Sequence, residues 1–215
     1  MKKIIGLTVG MACLAAALNA QATTSAQLVV RGTITPAACN LSLAGSGIID
    51  YGTIRSGELS RTAFNPREER TTSLVINCGT TPARFGLTFT DLQAGSKVTG
   101  ILGAGFTEAQ NYGLGMVGAR RTGGYSVTLR DLRSSGTTLF PIMRTGLGAW
   151  YNSDGKVAQS PSQYSWRNGA AITPAAISQL TGTLAVKAVI NKAQDLDLSR
   201  DISIDGRATL VLSYI

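Results

Sequence analysis

No histidine occurs among the 215 residues. That removes Ser-His-Asp and Cys-His nucleophile arrangements, together with the commonest metal ligand. Cysteine is scarce, with three residues and no Cys-x-x-Cys spacing for a redox or zinc site. The 12 acidic residues show no obvious pair set in an apolar context, which argues against a secreted hydrolase working through two carboxylates. The group Asp195, Asp197, Asp201 and Asp205 lacks the glycine and the terminal glutamate of an EF-hand loop. Asp195 and Asp197 read more simply as the wet face of a strand whose dry face is Leu196 and Leu198. Gly113-Leu114-Gly115-Met116-Val117-Gly118 matches G-x-G-x-x-G, but residues 119–124 cannot open the helix that a dinucleotide site requires. Long amphipathic helices, a fixed repeat period and low-complexity tails are also missing. These absences lead to the expectation of a non-enzyme with no cofactor and no metal.

What is present begins with an export signal. Lys2 and Lys3 precede an apolar run from Ile4 to Leu18, and Ala20-Gln21-Ala22 fits the small-x-small cleavage rule. The expected signal peptide is residues 1–22, with the mature chain starting near Thr23. A cut after Ala20 and a lipoprotein cut before Cys13 are alternatives. No other apolar stretch approaches the roughly 18 to 20 residues needed to span a bilayer. Over the whole sequence the formal charge is +8, and two of those charges, Lys2 and Lys3, belong to the leader. The rest is scattered arginine with Arg120-Arg121 as the basic doublet, unlike the clustered charge of a nucleic-acid protein. Weak attraction to acidic polysaccharide or lipid headgroups is compatible with it. The length fits one domain, residues 23–215, with insertions.

Once Cys13 leaves with the signal, two cysteines remain. Cys39 shares alternation phase with Leu41 and Leu43, and Cys78 with Leu74 and Ile76, so both sulfurs point to a core face. Outside the cytoplasm such a pair forms a disulfide. Closing a loop of this size stabilises by roughly 3 to 4 kcal/mol in the chain-entropy model.

Period-two patterns dominate the rest. Residues 73–78, 85–89, 125–129, 184–190 and 202–204 each alternate and read as half-buried antiparallel strands. Glycine-rich connections lie between them, notably residues 100–124. Residues 146–169 read as a polar, aromatic insertion carrying Asp154-Gly155 as a hairpin signal. Thr173 and Pro174 could open one short helix over residues 175–180. The expected fold class is therefore all-β, a sandwich. Within the insertion, Trp150, Tyr151, Tyr164 and Trp166 fall among Asn152, Asp154, Gln163 and Asn168. Exposed rings beside amides and carboxylates would form a sugar-binding platform.

The last residues, 206–215, alternate as a strand and stop at penultimate Tyr214. A strand placed there leaves no sequence for a following strand to cover its edge, so the sheet is expected to be completed by another chain.

Several of these features together resemble the chaperone-usher pilins, the subunits of bacterial fimbriae. The run Arg31-Gly32-Thr33-Ile34-Thr35-Pro36-Ala37-Ala38-Cys39 looks like their first strand, Asp50-Tyr51-Gly52 like the turn after it, and Ile76-Asn77-Cys78 like the second half of their disulfide. The terminal strand resembles the motif that docks on a periplasmic chaperone. The middle of the chain, with Tyr112-Gly113-Leu114-Gly115 and Gly124-Tyr125, looks more like a fimbrial-like family of uncharacterised function than like the major pilins. The resemblance implies an immunoglobulin-like sandwich lacking its last strand, with a groove filled first by a chaperone strand and then by the N-terminal segment of another subunit. Ala208, Leu210, Leu212 and Tyr214 would then form the edge that receives the donor, with the Ile215 carboxylate on basic residues of the chaperone. The partners implied are a periplasmic chaperone, an outer-membrane usher and other fimbrial subunits, with a surface glycan as a further ligand and no nucleic acid. Export through the periplasm to the cell surface follows. Leu28 and Val30 form a possible donor segment within a short N-terminal extension, residues 23–31. Its shortness and polarity favour a minor or tip subunit over a major pilin. The rival reading is a free-standing secreted carbohydrate-binding sandwich.

Overall fold

The computed structural model describes residues 30–32 and 39–215. The expected signal peptide, the polar segment 23–27, Leu28 and most of the expected first strand lie outside the described residues. Val30 is described and belongs to no strand.

Among the described residues the chain forms fourteen strands, and the helical pieces are 3-10 turns of three or four residues. The first half contains β1 (Asn40–Leu43), β2 (Asn65–Pro66), β3 (Arg70–Asn77), β4 (Phe85–Asp91), β5 (Tyr112–Gly113), β6 (Met116–Val117) and β7 (Arg120–Arg121). The second contains β8 (Gly123–Ser134), β9 (Thr137–Thr138), β10 (Phe140–Thr145), β11 (Tyr151–Asn152), β12 (Ser162–Arg167), β13 (Gln179–Ile190) and β14 (Ala208–Tyr214).

Two large antiparallel sheets and the small β6-β7 pair result. The first runs β1-β3-β13-β8-β5, with β2 beside β13 and β9 beside β8; the second runs β11-β10-β12-β4-β14. Their inner faces bury one another. Leu74 and Ile76 of β3, Leu180 and Leu184 of β13, and Val127 and Leu129 of β8 share one buried cluster with Phe85, Leu87 and Phe89 of β4. Trp166 meets Phe85 edge-on at 4.9 Å between ring centres, and Tyr164 meets Phe89 at 6.1 Å. Such aromatic pairs add to the burial that drives the sheets together. The Cys39–Cys78 disulfide is formed and joins the start of β1 to the end of β3. The chain is thus an all-β sandwich with one internal disulfide.

Three expectations change. Residues 146–169 are not an insertion, because β12 sits at the centre of the second sheet between β10 and β4. Residues 175–180 are not helical. Ile177 exchanges two backbone hydrogen bonds with Ala83, at 2.9 and 3.0 Å, and β13 begins at Gln179. Tertiary pairing overrides the local Thr-Pro-Ala-Ala signal. Asp195 ends a 3-10 turn (Ala193–Asp195), and the segment after it is irregular up to β14, so neither 195–198 nor 202–204 is a strand. In the Gly-x-Gly-x-x-Gly stretch, Met116–Val117 pairs with Arg120–Arg121 in a small hairpin.

One side of the sandwich is sewn shut. Leu129 N–H donates to the Gly155 carbonyl and Val157 N–H to the Val127 carbonyl, so residues 155–157 run along β8. The Tyr164 hydroxyl pins this seam from the core, accepting the Ala158 N–H at 2.6 Å and donating to the Lys156 carbonyl at 3.1 Å. Gly155 is required there: its φ is +86°, and a Cβ would stand 2.4 Å from the Leu129 carbonyl oxygen.

Candidate functional site

Among the described residues, the other side of the sandwich is open. Strand β14 pairs with β4 along its whole length, from Ala208 opposite Asp91 to Tyr214 opposite Phe85. Its other edge has no strand partner among the described residues. Seven residues at about 3.4 Å each give a bare edge of roughly 24 Å. Ala208, Leu210 and Leu212 turn toward the core and pack against it, yet stay only half-buried, whereas Val211 on the opposite face is 49% exposed.

Beside that edge lies a cleft of about 400 Å³. Its walls include Leu43, Phe89, Val127, Leu184, Val186 and Leu210, which come from the inner faces of both sheets. Two further hollows, of about 440 and 450 Å³, continue it between residues 49–59 and 196–204, and Ile204 borders all three. The upper part is apolar; the far part carries Arg55, Arg200 and Asp201.

Local hydrogen bonds fix the walls. The Asp50 carboxylate accepts the Gly52 N–H at 2.7 Å, and Gly52 takes a positive φ of 64°, turning the chain at the position expected. This swings Tyr51 inward, where its hydroxyl donates to the Val186 carbonyl at 2.9 Å and accepts the Ala188 N–H at 3.1 Å. Burial raises the Tyr51 pKa, against the opposing pull of the Ala188 hydrogen bond and Arg70. At the other end the Cys39 N–H donates to the Tyr214 hydroxyl at 2.6 Å. That contact bridges β14 to the residue ahead of β1. At the rim, Asp205 pairs with Arg207 at 2.8 Å. Hydrogen bonds from the Ser199 hydroxyl, Arg200 and the Ser199 N–H hold the Asp197 carboxyl down at about 2, so this acid organises a turn.

Of the terminal-edge residues named from sequence, Ala208 and Leu210 line this cleft, Leu212 packs against the core beside them, Tyr214 is about half exposed with its hydroxyl on the Cys39 N–H, and Ile215 donates its N–H to the Arg84 carbonyl. The expected donor residue Leu28 lies outside the described residues. The aromatic platform does not assemble. Tyr164 and Trp166 are completely buried core residues, and burial pushes the Tyr164 hydroxyl up to about 12. Tyr151 pairs with Met143 on the core-facing side, and Trp150 lies on the opposite face against Arg144. Sequence reading missed the cleft walls from β8 and β13. Their alternation was visible, but alternation alone does not show which inward residues stay uncovered.

Among the described residues, no cluster of three or more acidic or cysteine side chains could hold a metal ion, and no helix is long and apolar enough to cross a membrane. No curated protein matches the chain. A family model described as a protein of unknown function (DUF1120) matches residues 28–130, a stretch that includes β1 to β7, most of β8 and part of the cleft lining but not β14.

Proposed function

We propose that this chain is a non-catalytic structural or adhesive subunit of a chaperone-usher surface fibre, more often at a minor or tip position than in the shaft. In this reading it is exported through the periplasm and its cleft is filled by an extended strand from a partner. The observation that carries the reading is the pairing of an edge strand with an open core: among the described residues β14 has no strand on its outer edge, where Leu210 lines the cleft and Leu212 is half-buried. An added strand would take the ladder hydrogen bonds, and its alternate apolar side chains would enter the cleft. Each fully buried donor side chain of leucine or valine size would contribute about 1.5 to 3 kcal/mol. The sequence resemblance to pilins, with the turn at Asp50 to Gly52 and the Cys39–Cys78 bridge, supports the same reading.

The test is to express the exported chain with and without a periplasmic pilus chaperone and to measure the soluble species by size exclusion. A one-to-one complex with the chaperone, lost when Leu210 and Leu212 are both changed to Asp, is the expected result. A stable monomer without chaperone, indifferent to those changes, would overturn the proposal in favour of a free-standing binding module.

A further inference from the structure

The face of the second sheet that turns away from the cleft carries two guanidinium groups. Alternation along β10 places Phe140, Ile142 and Arg144 there, and the register sets Arg167 opposite Phe140 and Gln163 opposite Arg144. On β11, Asn152 pairs with Ile142, so Trp150 and Asn152 share this face. Arg144 Nε donates to Gln163 Oε1 at 2.8 Å, and its guanidinium lies 4.7 Å from the centre of the Trp150 ring. Arg167 reaches across β10 to donate from Nε to Asn152 Oδ1 at 3.1 Å, and its guanidinium lies 4.8 Å from the Phe140 ring centre. That crossing passes over Ile142, which is completely buried although it stands outside the main core cluster.

Charge on this face is one-sided. No outward position of β4, β10, β11, β12 or β14 is acidic, and neither arginine forms an ion pair among the described residues. Both are instead held by neutral acceptors and by rings. The face presents pre-oriented guanidinium edges beside stacking surfaces. A guanidinium takes a carboxylate in a two-point charged hydrogen bond, and an aromatic ring covers the apolar face of a sugar. Along the strand direction the two arginines are offset by four residues, roughly 14 Å of backbone, a spacing that suits a chain of sugars better than a single one.

We propose that this face binds an acidic oligosaccharide, with Arg144 and Arg167 taking carboxylates on separate sugars and Trp150 and Phe140 stacking on the rings between them. It lies on the opposite side of the sheet from the cleft, so a strand bound in the cleft leaves it accessible and the two proposals stand or fall separately.

Calorimetric titration of the full chain with tetragalacturonate, and with its neutral methyl ester, tests this. The acid binds and the ester binds at least about tenfold more weakly. Arg144→Gln and Arg167→Gln each weaken the acid about tenfold, while Arg130→Gln, on the first sheet and paired with Glu69, does not. Because Arg167 roofs Ile142, Trp150→Ala serves as the variant that leaves charge and core intact, and it too weakens binding. Equal affinity for acid and ester, equal loss on Arg130→Gln, or no binding at millimolar sugar would each overturn the proposal.

Discussion

The two long sides of the sandwich solve the same problem in opposite ways. On one side the outer strands are covered: β8 is flanked by β5, by residues 155–157 and by β9, and β10 is flanked by β11. The covering pieces are two or three residues long and irregular, which is how proteins usually prevent edge-to-edge association. On the other side β14 offers seven consecutive residues with no charge, proline or bulge, and β1 does not reach it by a ladder. Among the described residues, short pieces close the first edge and none covers the second. An uncovered apolar edge is an aggregation hazard unless a partner occupies it.

Raising the pH attacks both sides together and should have the largest effect. Burial raises the pKa of Tyr112, Tyr125, Tyr164 and Tyr51 above the ordinary 10.0. Their protons are therefore held more tightly folded than unfolded, and the stability they contribute is complete below about pH 10 and lost as the pH rises beyond it. Each contributes a slope of up to about 1.4 kcal/mol per pH unit. Thermal midpoints should be nearly flat from pH 6 to 9, where no histidine titrates, and should fall steeply above 10.

Opening the closed side alone is the next most damaging change. Gly155→Ala forces a side chain into a positive-φ position and against the Leu129 carbonyl, so urea denaturation should show a loss of about 3 kcal/mol or more. Tyr164→Phe keeps the ring but strands the Ala158 N–H and the Lys156 carbonyl. It should cost about 1 to 3 kcal/mol and remove part of the alkaline fall.

The open side should respond least while it is empty. Leu210→Ala, at a half-buried position, should cost only about 1 kcal/mol in the chain alone. With a complementing strand bound, the same change should cost about 2 to 5 kcal/mol, the range for a buried leucine. Equal costs in the two states, measured by denaturation with and without a donor-strand peptide, would mean that the cleft is not where the strand sits.

Much of this comparison was legible in the sequence, for identifiable reasons. Strand β14 was readable because one face is apolar at every second position and the other is not. The disulfide was readable because both cysteines share phase with apolar neighbours. Strand β12 was not, although Tyr164 and Trp166 alternate with Gln163, Ser165 and Arg167. Its burial depends on distant partners: the Tyr164 hydroxyl is satisfied by residues 156–158, and Ser165, fully buried, donates to the Phe85 carbonyl at 2.9 Å. The apolar residues of 196–204 alternate like a strand but line the cleft without a ladder, a role that periodicity does not distinguish from a strand. The arginine face was hidden because its members come from β10, β11 and β12, whose pairing register only the fold supplies.

The Cys39–Cys78 bond has a mechanical meaning as well. Tension applied to the chain ahead of Cys39 passes through the sulfur bridge directly into the end of β3, the second strand of the five-stranded path in the first sheet. The covalent path therefore bypasses residues 40–77, and tension reaches them only through the hydrogen bonds that hold them in the sheet. The bypassed residues include β1 and the Asp50 to Gly52 turn, which contribute to the cleft lining. A pull on this molecule would thus load that part of the lining only indirectly, through the ladder rather than along the backbone.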